Sequence, residues 1–82
     1  MSYRVQFGGR ILGQLHGLPG EAFDALVARA VDLVETPWDA TVLPPGDDPA
    51  YRETVFGGAG LLRFYVDDDA ELIEIFGLIW IG

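Results

Sequence analysis

Two arginines and a tyrosine in the C-terminal half of the chain have side chains that could act on a phosphate group. Guanidinium groups stabilise charge that develops on phosphate oxygens, and a phenol can take part in proton transfer. Arg52, Arg63 and Tyr65 lie close together in the sequence. Alternate residues of a strand face the same side, so Arg63 and Tyr65 would share one face. The alternative is that both arginines are ordinary surface charges paired with Glu53 or Glu74.

Three other groups of polar or glycine residues are weaker candidates. The aspartates at 67–69 lack the alternate spacing and closing glutamate of a calcium loop, so a solvated turn is expected. The glycines within 57–60 precede a strand pattern and no lysine follows them, unlike a phosphate-binding loop. A turn with positive φ explains them better. His16 is the only histidine. We therefore predict no metal site and no cofactor.

The elements that would position these side chains follow from hydrophobic periodicity. Strands are expected at residues 3–7, 51–56, 61–66 and 72–81, and helices at 10–16 and 21–35. In the longer helix, one apolar stripe is predicted to pack on the sheet, and it comprises Phe23, Leu26, Val27, Ala30, Val31 and Val34. Pro37 ends this helix, and residues 36–50 form a stiff loop rich in proline and acid.

This order of elements predicts an α+β fold with two layers in a single domain, residues 1–82. An N-terminal strand and a helical hairpin precede an antiparallel three-stranded meander, giving a sheet of about four strands. Helices on one face of such a sheet leave the other face uncovered.

The last strand is apolar on both of its sides, which is unusual for a sheet with one solvent face. If Glu74 points away from the helices, then Phe76, Leu78 and Trp80 do so too. Together with Tyr65 they form the predicted partner-binding patch. Monomers rarely expose apolar patches beyond a few hundred Å². We therefore expect a partner chain to cover the patch, unless loop 36–50 folds Trp38 back over it.

Composition restricts the partners. The chain has 5 basic and 13 acidic residues, for a net charge of −8, and every basic residue is an arginine. Affinity for nucleic acid comes largely from basic groups at phosphates, so this balance disfavours messenger RNA and DNA. No cysteine and no long apolar run are present, so a cytoplasmic location without membrane insertion is expected.

Several short motifs, in order along nearly the whole chain, resemble the RelE/ParE toxin superfamily. They are Tyr3-Arg4-Val5 with Phe7, the segment 14–19, the helix end Glu35-Thr36-Pro37, and the hairpin from Tyr51-Arg52-Glu53 to Asp68. The resemblance implies a helical hairpin on an antiparallel sheet, with the first strand beside the last. It further implies a toxin of a toxin–antitoxin or plasmid-stabilisation system, with an antitoxin as its partner.

The resemblance also implies a site, which this sequence matches only in part. RelE-type members cut messenger RNA on the ribosome with basic residues on the open sheet face. Here Arg52 matches the first hairpin arginine, and Arg63 lies one or two positions from the second, where Leu61 or Leu62 stands. Nothing matches the family's basic C-terminal segment. We therefore expect weak or no RNA cleavage. The alternative is a non-catalytic module that binds protein or a small ligand, self-associating through the open face.

Overall fold

The computed structural model describes residues 3–81 of the chain as two helices and a five-stranded sheet. The elements are β1 (Arg4–Phe7), α1 (Gly9–Leu15), α2 (Gly20–Glu35), a 3-10 turn (Pro37–Asp39), β2 (Thr41–Val42), β3 (Tyr51–Phe56), β4 (Gly60–Asp67) and β5 (Leu72–Trp80). Helix α2 ends where Thr36 precedes Pro37, because a residue before proline avoids the helical conformation. The predicted two-layer α+β fold is confirmed.

The strands form one sheet in the order β1-β5-β4-β3-β2. β3, β4 and β5 form the predicted antiparallel meander, and β1 lies beside β5 in parallel orientation. The sheet is therefore mixed, and it has one strand more than expected. The additional strand, β2, comes from the loop at 36–50, which pairs Thr41 with Glu53 and Val42 with Arg52. A two-residue strand is too short to give a periodic signal in the sequence.

The hydrophobic core lies between the helices and one face of the sheet. Its fully buried side chains include Ile11 of α1, Leu26 and Leu33 of α2, and inward residues of β4 and β5, namely Leu62, Phe64, Val66, Ile73 and Ile75. Because every second residue of β4 is buried, Leu61, Arg63 and Tyr65 lie on the opposite, open face, as predicted.

The prediction for the buried face of α2 was only partly correct. Leu26 is buried, but Phe23, Val27 and Val31 are 43%, 43% and 63% exposed. The helix instead packs through Ala22, Leu26 and Leu33, with Ala25 beside them. A Cβ built on Gly57 would lie 3.0 Å from the Ala25 Cβ, so helix and sheet approach closely here. The small side chain of Ala25 allows that approach, whereas a side chain as large as that of Phe23 would not fit between the helix and the sheet.

The turn between β3 and β4 requires glycine at two positions. Gly57 and Gly58 have φ of 61° and 77°, in the left-handed region that glycine adopts without strain. This confirms the conformational explanation of the glycines. Gly60 is required for a different reason: a Cβ at this position would collide with the ring of Phe56.

Candidate functional site

The open face of the sheet carries an aromatic cluster of Tyr51, Tyr65 and Phe76. The ring centroids of Tyr51 and Tyr65 are 4.9 Å apart, and those of Tyr51 and Phe76 are 5.8 Å apart with an edge-to-face orientation. Tyr51 and Tyr65 are direct partners in the β3–β4 ladder, which places both on this face. Tyr51 and Phe76 remain 41% and 42% exposed. The cluster therefore presents a ready-made apolar surface to a partner.

A second apolar row crosses the same face closer to the β3–β4 turn. Val55 pairs with Leu61, and Leu61 pairs with Ile79, so three adjacent strands contribute one side chain each. Val55 is 66% exposed and Ile79 is 44% exposed. This aliphatic row and the aromatic cluster together leave a broad apolar surface in contact with solvent.

An ion pair lies between the aromatic cluster and the aliphatic row. Arg63 Nε is 3.9 Å from Glu53 Oε2, and the two residues are direct partners across β3 and β4. The stem of Arg63 lies against Gly77, where an added Cβ would be 3.1 Å from the Arg63 Cβ. At this distance and exposure the pair is weak, so the Arg63 guanidinium can rearrange to meet a ligand.

The other predicted catalytic residue, Arg52, lies on the opposite side of the sheet. Its direct partner in the ladder is Phe64, which is fully buried beneath the helices. The Arg52 guanidinium donates hydrogen bonds to the carbonyl oxygens of Pro49 (2.7 Å), Trp38 (3.1 Å) and Ala40 (2.8 Å). It also lies 4.9 Å from the centroid of the Trp38 ring. The placement of Arg52 and Arg63 in one site is therefore wrong.

The geometry of Arg52 follows from strand alternation. The β3–β4 register pairs Arg63 with Glu53, so Glu53 shares the open face with Arg63. Arg52 is the residue next to Glu53 in β3, and it therefore faces the opposite side. It points to the helix side of the sheet, where three carbonyl oxygens of loop 36–50 accept hydrogen bonds from its guanidinium. These hydrogen bonds hold loop 36–50, with Trp38, on the helix side of the sheet. Trp38 therefore does not cover the open face.

A β-bulge in β5 separates the four residues predicted to bind a partner. Arg63 pairs with Gly77, but the next residue, Phe64, pairs with Ile75, so Phe76 is the extra residue. Beyond this point the alternation of β5 reverses. Leu78 is buried, and Trp80 stacks on Phe56 with ring centroids 5.6 Å apart. Tyr65 and Phe76 share the open face, whereas the placement of Leu78 and Trp80 there is wrong.

The reversal also explains which open-face residues the sequence analysis missed. Uninterrupted alternation from Glu74 would place Ile79 on the core side, whereas the bulge places it on the open face, paired with Leu61. An extra residue in a strand leaves no clear mark in an apolar sequence, although Gly77 is a hint, since glycine is frequent at bulges. Tyr51 and Val55 could have been found from the alternation of β3 once its register with β4 was known.

A hydrogen-bonded chain ties the start of β1 to the β4–β5 turn. Tyr3 donates its hydroxyl hydrogen to Asp68 Oδ1, and Trp38 Nε1 donates to the Tyr3 oxygen over 3.3 Å. The bond to the Asp68 carboxylate raises the pKa of Tyr3 above its ordinary value, because it favours the protonated phenol. The aspartates at 67–69 thus form a turn with a structural role, in which Asp67 Oδ1 also accepts a hydrogen bond from the Ala70 N–H.

The described residues form shallow clefts but no cluster of metal-binding side chains. Within residues 3–81 no three His, Asp or Glu side chains lie close enough together to hold a metal ion. Neither α1 nor α2 has the length and hydrophobicity to cross a membrane.

Two shallow clefts have volumes of about 300 and 260 Å³. The larger is lined by Asp39, Glu53 and two threonines beside Val55 and Leu61, and the smaller lies between Gln14 and Trp80.

Comparison with solved structures shows which fold this is. The isolated RelE toxin of Escherichia coli superimposes with a TM-score of 0.84 over 99% of this chain and 86% of the toxin, at 18% identity. The chain has the fold of the RelE toxins. No model of a known protein family and no curated protein sequence matches it.

Two further structures with the RelE fold contain an antitoxin. The toxin–antitoxin complex RelBE2 of Mycobacterium tuberculosis gives a TM-score of 0.84 at 23% identity, covering 99% of this chain and 100% of the matched chain. The archaeal RelE–RelB complex of Pyrococcus horikoshii gives 0.75 at 20% identity, covering 100% and 98%. The RelE fold thus extends over the whole described chain, and what differs is the set of side chains on it.

Proposed function

We propose that this chain is the toxin-like subunit of a toxin–antitoxin pair, and that it binds a protein partner through the open sheet face without efficient RNA cleavage. Its fold is that of RelE toxins, and several of those structures hold an antitoxin: RelE with a RelB peptide, the intact RelBE complex, RelBE2 and the archaeal pair. The observation that carries the proposal is the composition of the open face, which is aromatic and aliphatic rather than cationic.

The charges of the open face argue against RNA cleavage. Among residues 3–81 the arginines on this face are Arg4 and Arg63, and the carboxylates of Glu53, Asp67 and Glu74 share the same face. Cleavage requires groups that stabilise the charge developing on the phosphate, and these acids supply the opposite field. Arg52, which would supply a second nearby cation, is bound to backbone carbonyl oxygens on the other side.

The apolar groups argue for a protein partner. Burying a large side chain such as Phe76 or Ile79 contributes roughly 1.5–3 kcal/mol before the entropic cost of association. Aromatic clusters with an arginine at the edge are also the usual composition of interface hot spots. A partner that covers both the aromatic cluster and the aliphatic row would enclose the Glu53–Arg63 pair between them.

The test is co-expression with a candidate antitoxin, chosen from any small open reading frames that flank this gene. We expect the two proteins to co-purify as a complex, and we expect Phe76→Glu to disrupt it. Phe76 is chosen because it is exposed, whereas Trp80 is packed against Phe56 and its replacement would disturb the core. A neighbouring protein that fails to bind the wild-type chain, or that binds Phe76→Glu equally well, would contradict the proposal.

A second candidate function, self-association through the same face, is favoured by one observation. Glu53 and Arg63 lie side by side, so a two-fold axis through the face could exchange this ion pair between two copies. Light scattering distinguishes the two functions. A stable wild-type dimer that Phe76→Glu converts to a monomer would support self-association, and a monomer that binds the neighbouring protein would support the toxin–antitoxin pair.

A further inference from the structure

Helix α2 has a second apolar stripe that the rest of residues 3–81 leaves about half exposed. Phe23, Val27 and Val31 are spaced four residues apart, so they lie on successive turns of one side of the helix. Their exposed fractions are 43%, 43% and 63%. The stripe lies on the helical layer, so it is remote from the open face of the sheet, which forms the other layer. An apolar row of this kind is what an amphipathic helix of a partner recognises.

The solvent side of α2 next to this stripe carries only acidic charge. Glu21, Asp24 and Asp32 are exposed, and Asp24 lies one turn before Val27 on the neighbouring row. The only basic residue of the helix, Arg29, points toward the sheet, where its Nε donates to Thr54 Oγ1 over 2.9 Å. Arg29 also lies 3.8 Å from Asp32, and no other cation is present on α2.

We infer that the Phe23–Val27–Val31 stripe is a second docking surface, and that its occupant is an amphipathic helix with basic residues beside its apolar side. The apolar residues fit the row on α2, and lysines or arginines on the flank fit Asp24 and Glu21. A second copy of this chain fits poorly. It would place the same carboxylates opposite one another, and each copy carries a net charge of −8.

The probe is a synthetic lysine–leucine peptide of about 14 residues, four helical turns, with leucine at every third or fourth position. A peptide of the same composition in scrambled order is the control for charge alone. Amide chemical-shift mapping locates the contact, and fluorescence anisotropy of the labelled peptide gives the affinity. We expect the amphipathic peptide to bind with shifts concentrated on α2, and the scrambled peptide to bind at least several-fold more weakly.

Two valines with nearly the same exposure provide matched variants. Val31→Ser changes the stripe, and Val55→Ser changes the open face, where Val55 is 66% exposed against 63% for Val31. We expect Val31→Ser to weaken binding roughly tenfold through the two methyl groups it removes, and Val55→Ser to change it less than about twofold. Asp24→Lys should weaken it as well, since a repulsive charge then faces the lysines. Circular dichroism confirms that each variant is folded.

Several results would overturn this assignment. They are absent binding, equal binding of the scrambled peptide, or a weaker complex with Val55→Ser than with Val31→Ser. Sedimentation that shows a wild-type dimer abolished by Val31→Ser would overturn it too, because the occupant would then be a second copy. This test is independent of the proposed function. Phe76→Glu changes the open face and tests binding of the antitoxin-type partner, whereas Val31→Ser changes α2 and tests binding of the peptide.

Discussion

Arg52 is a structural residue, because its guanidinium is bound to three backbone carbonyl oxygens and lies over the Trp38 ring. The planar fork of an arginine can serve several acceptors at fixed angles, which a lysine ammonium cannot reproduce. The two arginines of the hairpin therefore differ in role although they are close in sequence. Arg52 holds loop 36–50, and Arg63 is available to a partner on the open face.

Replacement of Arg52 should therefore reduce stability. We expect Arg52→Ala to lower the free energy of unfolding by about 1–3 kcal/mol, since three carbonyl oxygens lose a charged donor. Arg52→Lys should recover only part of this loss. Arg63→Ala is the control, with a change of less than about 1 kcal/mol because its ion pair is long and exposed. Urea denaturation followed by circular dichroism measures all three, and a larger loss for Arg63→Ala would contradict the assignment.

Tyr3 should make the stability depend on alkaline pH. Its hydrogen bond to Asp68 raises the pKa of Tyr3 in the folded state above the ordinary value near 10. The folded chain thus holds this proton more tightly than the unfolded chain. The stabilisation is fully present below the unfolded pKa and is lost as the pH rises through the folded pKa.

The pH dependence can be measured by comparing wild type with Tyr3→Phe. We expect the wild type to be the more stable at about pH 8, and the difference between the two urea midpoints to shrink as the pH rises past about 10. Asp68→Asn removes the acceptor charge and should bring the pKa of Tyr3 back toward its ordinary value. A difference that grows with alkaline pH would show that the sign of this linkage is wrong.

At the scale of the elements, local sequence patterns predicted where helices and strands begin and end better than which of their sides faces the core. Strand β3 has the predicted bounds, and α2 begins one residue before its predicted start. The errors lie where geometry depends on packing between elements. α2 carries apolar residues over a wide arc, and the part that faces the sheet is the one where Ala25 approaches Gly57 closely and Ala22, Leu26 and Leu33 are buried. In β5, the bulge at Phe76 reversed the faces of Leu78 and Ile79.

Two glycines in different elements should respond oppositely to alanine. Gly60→Ala places a methyl group against the ring of Phe56, so we expect a loss of about 1–3 kcal/mol in the free energy of unfolding. Gly13 lies inside α1 with no neighbour within 4 Å of a built Cβ. Gly13→Ala should therefore stabilise the fold by about 0.5–1 kcal/mol through helix propensity. Thermal unfolding gives both values, and a neutral Gly60→Ala would contradict the packing described here.

At the scale of the whole molecule, two apolar surfaces lie on the two layers of an acidic chain. The open face carries the aromatic cluster and the aliphatic row, and the helical layer carries the α2 stripe. Both are more suited to protein than to RNA, because a net charge of −8 opposes any polyanion. The resemblance in sequence predicted the fold. Which side chains lie on the open face and on the exposed side of α2 could be read only from the structure.

The central claim, that the open face binds protein and does not cleave RNA, is tested most directly by an RNA-cleavage assay on translating ribosomes. Purified chain is added to a translation reaction, and primer extension maps any new 5′ ends on the messenger RNA. We predict no ends beyond those of a reaction without the chain, because Arg63 is the one arginine near the centre of the described open face. Cleavage at defined codons that Arg63→Ala abolishes would contradict this account.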